Sequence, residues 1–346
     1  MKKIFYLVIF LISSNWLSAQ TLYVANNNPG AASGINVFTG TAAIADAMAA
    51  ASNDDIIYIV PSQIQHPNVL ITKELTLFGI GLSPNKDLSA KSVVSDVVIN
   101  ASNVRFSGIF ARNVTLSPSS PISGITIENS NIANIVHQSL TQAIDQLLIR
   151  NNILTTTLGS SIILQTTSNV TVINNIIYCR QSNGAVRGKV LNVFNNLFVG
   201  NGDGTDRAFG DIDDSLIGHN IFYGAKVGLL ATASGNIWDD NLSFGSTNDV
   251  FDIGVNSNTS NSPNLESVDP MFVNLPFSIQ WLDSYDISLQ AGSPALNYNG
   301  TDIGPSGGAT PFDAEGNLLP LIETVTIPAV IPIGSDLPVT IKAKGN

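Results

Sequence analysis

The sequence predicts an all-β solenoid, a parallel β-helix with rungs of about 21–24 residues, and three observations carry the prediction. First, one phrase recurs: a short aliphatic alternation, then Asn, then Ile or Leu. Leu147-x-Ile149-x-x-Asn152-Ile153 states it, and Val170-x-Val172-x-x-Asn175-Ile176 and Leu191-x-Val193-x-x-Asn196-Leu197 repeat it. Ser215-x-Ile217-x-x-Asn220-Ile221 keeps it with one polar substitution. Second, with Asn131-Ile132 upstream and Asn241-Leu242 downstream, the asparagines stand 21, 23, 21, 24 and 21 residues apart. Third, only 12% of residues are charged against 44% hydrophobic, which excludes a disordered chain. The remainder is heavy in Asn, Ser, Thr and Gly, as strands joined by turns require. A leucine-rich repeat shares the Asn phrase but needs a Leu-x-x-Leu half that Ile176–Gly184 lacks. A hexapeptide helix would need multiples of six. The parallel β-helix fits best.

A solenoid grows by adding rungs, so 346 residues need no second core. The formal charge of −11 becomes −13 once Lys2 and Lys3 are removed, because residues 1–19 hold no other charge. Nucleic acid and anionic membranes, which need a basic face, are therefore excluded as main partners, while cations are admitted. Cys179 is the only cysteine, so neither an internal disulfide nor a cysteine-based metal site can form.

Residues 1–19 read as a signal peptide. Lys2 and Lys3 precede an apolar run from Ile4 to Ile12, and Leu17-Ser18-Ala19 supplies a small residue before Gln20. The run is too short to span a bilayer, and no later stretch is long and apolar enough to do so. The mature chain is expected to start near Gln20 and to be secreted or held at the outer surface. Residues 20–60 read as an N-terminal cap and first strand. Leu22 to Val24 alternates, and Asn26 to Gly34 is a loop. Ala42 to Ala51 carries Ile44, Ala47 and Met48 at helical spacing with Thr41 placed to cap it, and Asp54 to Val60 forms a strand. Residues 61–310 are the β-helix and its C-terminal rungs. Leu75-x-Leu77-x-Gly79-Ile80 and Val104-x-Phe106-x-Gly108-Ile109 echo the phrase with Gly near the turn. The 29 residues from Gly79 to Gly108 imply a loop around Ser83 to Ser92, where Pro84, Asn85, Lys86 and Asp87 are turn-like. Ser246 to Pro263 is polar and shows no strand pattern. Residues 311–346 read as a β extension whose Pro328, Pro332 and Pro338 allow only edge or short strands.

The asparagines Asn131, Asn152, Asn175, Asn196, Asn220 and Asn241 are expected to form a structural ladder. Asn tolerates the left-handed backbone of a sharp corner, and its amide can donate to and accept from the next rung. The Ile or Leu that follows would begin a strand and face the core.

Several stretches resemble the secreted right-handed parallel β-helix proteins of the pectin-lyase-like superfamily, in particular an uncharacterised group from Bacteroidetes-type bacteria. They are Thr21-Leu22-Tyr23-Val24, Asp55-Ile56-Ile57-Tyr58-Ile59-Val60-Pro61, Ile71 to Gly81, the Asn-Ile rungs, and the tail from Asp269-Pro270-Met271-Phe272-Val273 to Gly292-Ser293-Pro294-Ala295. The resemblance covers most of the mature chain and implies a right-handed coil. It also implies a choice among polysaccharide lyases, glycosidases and binding proteins, because one fold hosts many functions.

Lyases pair a Ca²⁺-binding carboxylate cluster with an Arg or Lys base, and glycosidases need two carboxylates. The richest acidic stretch is Asp203, Asp206, Arg207, Asp211, Asp213 and Asp214, with Asp239 and Asp240 one rung on. Stacking would set Asp240 above His219 and Asn195, and Arg187 and Lys189 alternate on one face nearby. The candidate cation- and glycan-binding set is Asp203, Asp206, Arg207, Asp211, Asp213, Asp214, His219, Asp239 and Asp240. The plainer reading is that Asp and Gly populate an exposed solenoid loop. The polygalacturonase pattern is matched poorly, since Asp213-Asp214 and Gly218-His219 lie a few residues apart and Asn220 replaces a Gly. No pectate-lyase Arg motif is recognisable. His66 and His137 read as surface or turn residues, Trp238 as core, and Cys179 as a small interior or turn residue.

The leading expectation is a monomeric, non-catalytic protein presenting a rigid face to a polysaccharide or cell-surface component, with no cofactor unless the carboxylates hold Ca²⁺. The alternative is a lyase or glycosidase acting on uronate polysaccharides at Asp203 to Asp240.

Overall fold

The chain folds as a right-handed parallel β-helix of about eight turns, seen in a computed structural model. It describes residues 20–82, 90–156, 159–180, 182–228, 232–278 and 280–313, together with strands Leu321–Thr326 and Thr340–Lys344. The expected signal peptide (1–19) and the expected turn at Pro84 to Asp87 lie outside the described residues, as do the prolines at 328, 332 and 338.

Two parallel sheets wrap one core. The first has eleven strands, from Val37–Thr39 and Leu22–Asn26 at one end to Ile237–Asp239 at the other. Alternation along each strand sends one column inward: Tyr23, Ile57, Leu77, Phe106, Ile127, Ile149, Val172, Val193, Ile217 and Trp238 stack in register. The second sheet divides at strand Asn131–His137. That strand pairs with Phe110–Leu116 behind it, and ahead with both Ile153–Leu154 and Ile162–Ile163. Later rungs therefore have three faces. The space so enclosed is filled with rings: Phe198, Phe209, Phe222, Trp238 and Phe251 are buried together, with Phe198 and Phe222 stacked at 5.0 Å.

The helix Ala43–Ala50 buries Ala43, Ile44 and Ala47 against the open end of the core, as a lid should. Thr41 does not cap it. The preceding turn, closed by Ala43 N–H donating to the Gly40 carbonyl, moves the cap to Ala42, which offers no side-chain oxygen. At the other end, Lys73 donates to the carbonyls of Met48, Ala49 and Ala51, a cation where the helix dipole is negative.

The Asn ladder differs from expectation in three ways. Its members are Ser130, Asn152, Asn175, Asn196, Asn220, Asn241 and Asn264, each linked to the next through a backbone N–H donating to a side-chain oxygen at 2.9–3.1 Å. Asn131 is not one of them. It stands one residue on, in a strand, and its side chain accepts from Thr155 Oγ1 at 3.3 Å. Nor are the ladder residues left-handed. Positive φ falls on the residue before each of the first six: Asn129, Asn151, Asn174, Asn195, His219 and Asp240. A second ladder, Ser215–Asn236–Asn258, follows the left-handed Asp214, Gly235 and Ser257 at another corner.

The residue after each ladder Asn also faces the unexpected way. Ile153, Ile176, Leu197, Ile221 and Leu242 point out of the coil, and with Tyr178 and Val199 they form a second apolar cluster. What buries it is residues 268–312, including Phe272, Leu275, Ala295 and Ile303. This segment is a lateral strap along the coil. Between 299 and 307 it runs back down four rungs. Asn299 binds Asp240, Gly304 N–H donates to the His219 carbonyl, Asn195 Nδ2 donates to Asp302 O, and Asn174 Nδ2 donates to the Pro305 and Gly307 carbonyls. Gly304 is needed there: at φ +88 a Cβ would lie 2.5 Å from Ile221 Cδ1. Beyond it, Leu321–Thr326 and Thr340–Lys344 pair antiparallel, the expected β extension. No described helix is long and apolar enough to cross a membrane.

Candidate functional site

The acidic stretch does not close into one site. Three of its candidates hold corners: Asp214, His219 and Asp240 take the left-handed backbone that Asp and His tolerate better than most residues. His219 Nε2 does lie 3.7 Å from Asp240 Oδ2, the stacking the repeat implies. Both residues, however, are engaged by the strap. Asp239 accepts from the backbone N–H of Asn261 and Ser262, which shapes the last rung. Asp203 organises its own turn by accepting from Thr205, whose hydroxyl and N–H hold its carboxyl below the usual range. Asp206 is buried, and burial pushes its pKa up. Arg207 donates to the Gly228 carbonyl. Among the described residues no three His, Cys, Asp or Glu side chains gather as a metal cage.

Arg187 and Lys189 do share one outer face, on strand Val186–Lys189, and each meets the acid of the next rung. Arg187 pairs with Asp211, and Lys189 with Asp213 at 2.8 Å. They border a shallow trough of about 410 Å³ with Ile163, Gln165 and Thr166. Charges balance there, so the trough has no excess of either sign to select a ligand.

A different cluster does carry an excess. On the outer face of the first sheet, Ser107, Glu128 and Arg150 occupy one column on successive rungs, and Arg105 stands two residues before Ser107. Glu128 is completely buried. Its Oε1 accepts from Arg105 Nε at 2.5 Å and from Ser107 Oγ at 3.1 Å, and its Oε2 accepts from Arg150 Nε at 2.7 Å. Burial alone would raise the Glu128 pKa, but the two guanidiniums outweigh it and hold the carboxyl below its ordinary value. The carboxylate thus stays ionised and the cluster carries net +1. Both arginines remain partly open to solvent, at 51% and 30% side-chain exposure, so each can offer remaining donors outward. Alongside, Phe78, Arg105, Ser107, Ile56 and Thr76 line a depression of about 170 Å³. Phe78 is backed by Tyr58 at 5.1 Å. The small Ser107 makes the dip between the aromatic pair and the cations.

The sequence reading passed over this cluster because its charges stand far apart along the chain. A signal was available: Glu128 and Arg150 each lie two residues before a ladder position, so aligned rungs set opposite charges side by side in the column that continues through Ile173 and Phe194. His66 and His137 are also not surface residues. Both are buried inside the coil, where burial lowers their pKa. Trp238 and Cys179 are interior, as expected.

Fold and site together define a parallel β-helix with a strapped flank and a cationic depression on its first sheet. The chain matches no protein-family model, and no curated protein matches it.

Proposed function

We propose that the chain is an exported member of the pectin-lyase-like β-helix proteins that binds acidic polysaccharide without cleaving it. Arg105, Arg150 and the Phe78 shelf form the contact. The observation that carries this reading is the Arg105–Glu128–Arg150 cluster: a fully buried carboxylate orients two half-open guanidiniums, and one of them, Arg105, borders the depression that Phe78 lines. Guanidiniums fixed by an ion pair bind a further carboxylate with little loss of side-chain entropy. An aromatic face suits the apolar side of a sugar ring. With a whole-chain charge of −11, attraction of a polyanion is local rather than long-range. Glu128 is a poor general base or nucleophile, since its oxygens are taken up by Arg105, Ser107 and Arg150 and its proton affinity is lowered. The signal-like residues 1–19 support export.

The test is titration calorimetry of residues 20–346 with polygalacturonate and alginate, against dextran as a neutral control, with product absorbance and reducing ends followed in parallel. Expected are binding of the acidic polymers alone, weakened by salt and by Arg105→Gln, with no new products. Failure to bind either polyanion would sink the reading. Appearance of unsaturated ends would replace it with a lyase.

A further inference from the structure

The strap carries a second ligand-sized feature, distinct in position and chemistry from the cationic depression. Strands Phe272–Asn274 and Asp286–Leu289 pair antiparallel and lay Phe272, Ile287 and Leu289 on the outer apolar cluster of the coil. Alternation leaves Asp286 and Ser288 facing away from the coil, and both are exposed. Beside them lies a trough of about 770 Å³ whose lining includes Trp281, Tyr285, Phe312, Asn274, Asp286 and Ser288.

The composition of that lining is selective. Trp281 and Tyr285 meet edge to face, centroids 6.1 Å apart at 87°, so the trough holds two ring surfaces in perpendicular planes. Trp281 is held in place by its Nε1–H donating to Asp283 Oδ1 at 3.0 Å, and Asp283 is itself 3.7 Å from the Lys91 ammonium. Around the rings stand the Asn274 amide, the hydroxyls of Ser284 and Ser288 and the carboxylates of Asp286 and Asp313, a mixture of donors and acceptors. Among the described residues no Lys or Arg lines the trough. Aromatic faces take the C–H side of a pyranose, and mixed donors and acceptors take its hydroxyls. A carboxylate among them, with no cation, disfavours an acidic sugar and suits a neutral one.

We infer that the Trp281–Tyr285–Phe312 trough is a binding site for a neutral oligosaccharide, separate from any site for acidic glycan on the coil.

Tryptophan fluorescence supplies the test. The mature chain would hold two tryptophans, Trp238 buried in the coil and Trp281 half-exposed in the trough. Acrylamide should therefore quench Trp281 selectively. The probes are cellohexaose, xylohexaose, mannohexaose and laminarihexaose, with trigalacturonic acid as the acidic comparison. Expected is that at least one neutral oligomer binds by calorimetry and shields the quenchable fraction, while trigalacturonate leaves it unchanged. Trp281→Ala should weaken that binding about tenfold, with the near-ultraviolet dichroism of Trp238 confirming the fold. No binding of any neutral oligomer overturns the inference. So does binding that leaves acrylamide access to Trp281 unaltered, because the ligand would then sit elsewhere.

Discussion

Nδ2 of Asn299 donates to the carboxylate of Asp240 at 2.7 Å, across 59 residues of sequence. It is the first of the contacts by which the strap descends the corners of the coil, one left-handed residue after another. Two residues that stand out in the sequence as part of a possible site, His219 and Asp240, are here attachment points of the chain's own C-terminal segment.

That arrangement predicts the effect of Asn174→Gly. Glycine keeps the left-handed backbone but deletes the amide that serves the Pro305 and Gly307 carbonyls. Stability should fall by about 1–3 kcal/mol, the cost of leaving buried acceptors unpaired. Urea unfolding of the full mature chain measures it, and an unchanged midpoint would mean the strap is not held at this corner.

Ladder membership makes a sharper contrast. Asn196 Nδ2 donates to the Val172 and Phe194 carbonyls and to Asn220 Oδ1, and its own Oδ1 accepts from Asn175. Asn196→Ala orphans several buried groups at once and should cost at least about 3 kcal/mol. Asn131→Ala, at a strand position with one long contact, should cost under about 1 kcal/mol. Equal losses would show that the ladder adds nothing special.

The Arg105–Glu128–Arg150 cluster should respond asymmetrically. Removing both guanidiniums strands a fully buried carboxylate, so Arg105→Ala with Arg150→Ala should destabilise by about 3–5 kcal/mol. Glu128→Gln leaves two arginines that can turn to water and should cost distinctly less. Chemical denaturation of both variants decides between this and a cluster held mainly by packing.

Acid should weaken the fold through its histidines. Burial lowers the pKa of His66 and His137 below the ordinary 6.5, so below about that pH the unfolded chain binds protons that the folded chain refuses. Their contribution is present above pH 6.5 and is lost as pH falls from there toward the folded-state values. Urea midpoints between pH 7 and pH 5 should decline, and His66→Leu should make the decline shallower. A slope identical to that of the unsubstituted chain would exclude His66 as a contributor.

The exposed pairs on the third face matter less. Asp211→Ala removes a partner from Arg187 where both side chains are substantially open, at 35% and 48% exposure. Screening by water limits the loss to under about 1 kcal/mol. Binding of polygalacturonate by calorimetry should be unaltered, and a large loss would return attention to that trough.

The rungs from Ser130 to Asn241 were legible because each repeats the same alternation at intervals of 21 to 24 residues, with the variation taken up in the loops between strands. The last rung was not. Asn258 and Asn264 continue both ladders, but no aliphatic run precedes them: single bridges at Thr259 and Leu265 stand in for strands, and Phe251 fills the interior. The strap escaped for a related reason. Its partners are far off in sequence and follow no period, so nothing local to Ala295 or Ile303 announces that Ile176 and Ile221 lie beneath. The acidic loop drew notice through density of charge along the chain, whereas Arg105, Glu128 and Arg150 acquire meaning only when the rungs are superposed.

The strap also limits how the molecule can change length. Before Asn151 the C-terminal segment meets the coil at fewer points, among them the Lys91–Asp283 pair. Between Asn174 and Asp240 the strap meets each corner in turn with a fixed stretch of chain, so an added rung would leave every later contact one step out of place. The first half of the coil has fewer such contacts to put out of step. The second is ruled off, like a scale, by residues 299 to 307.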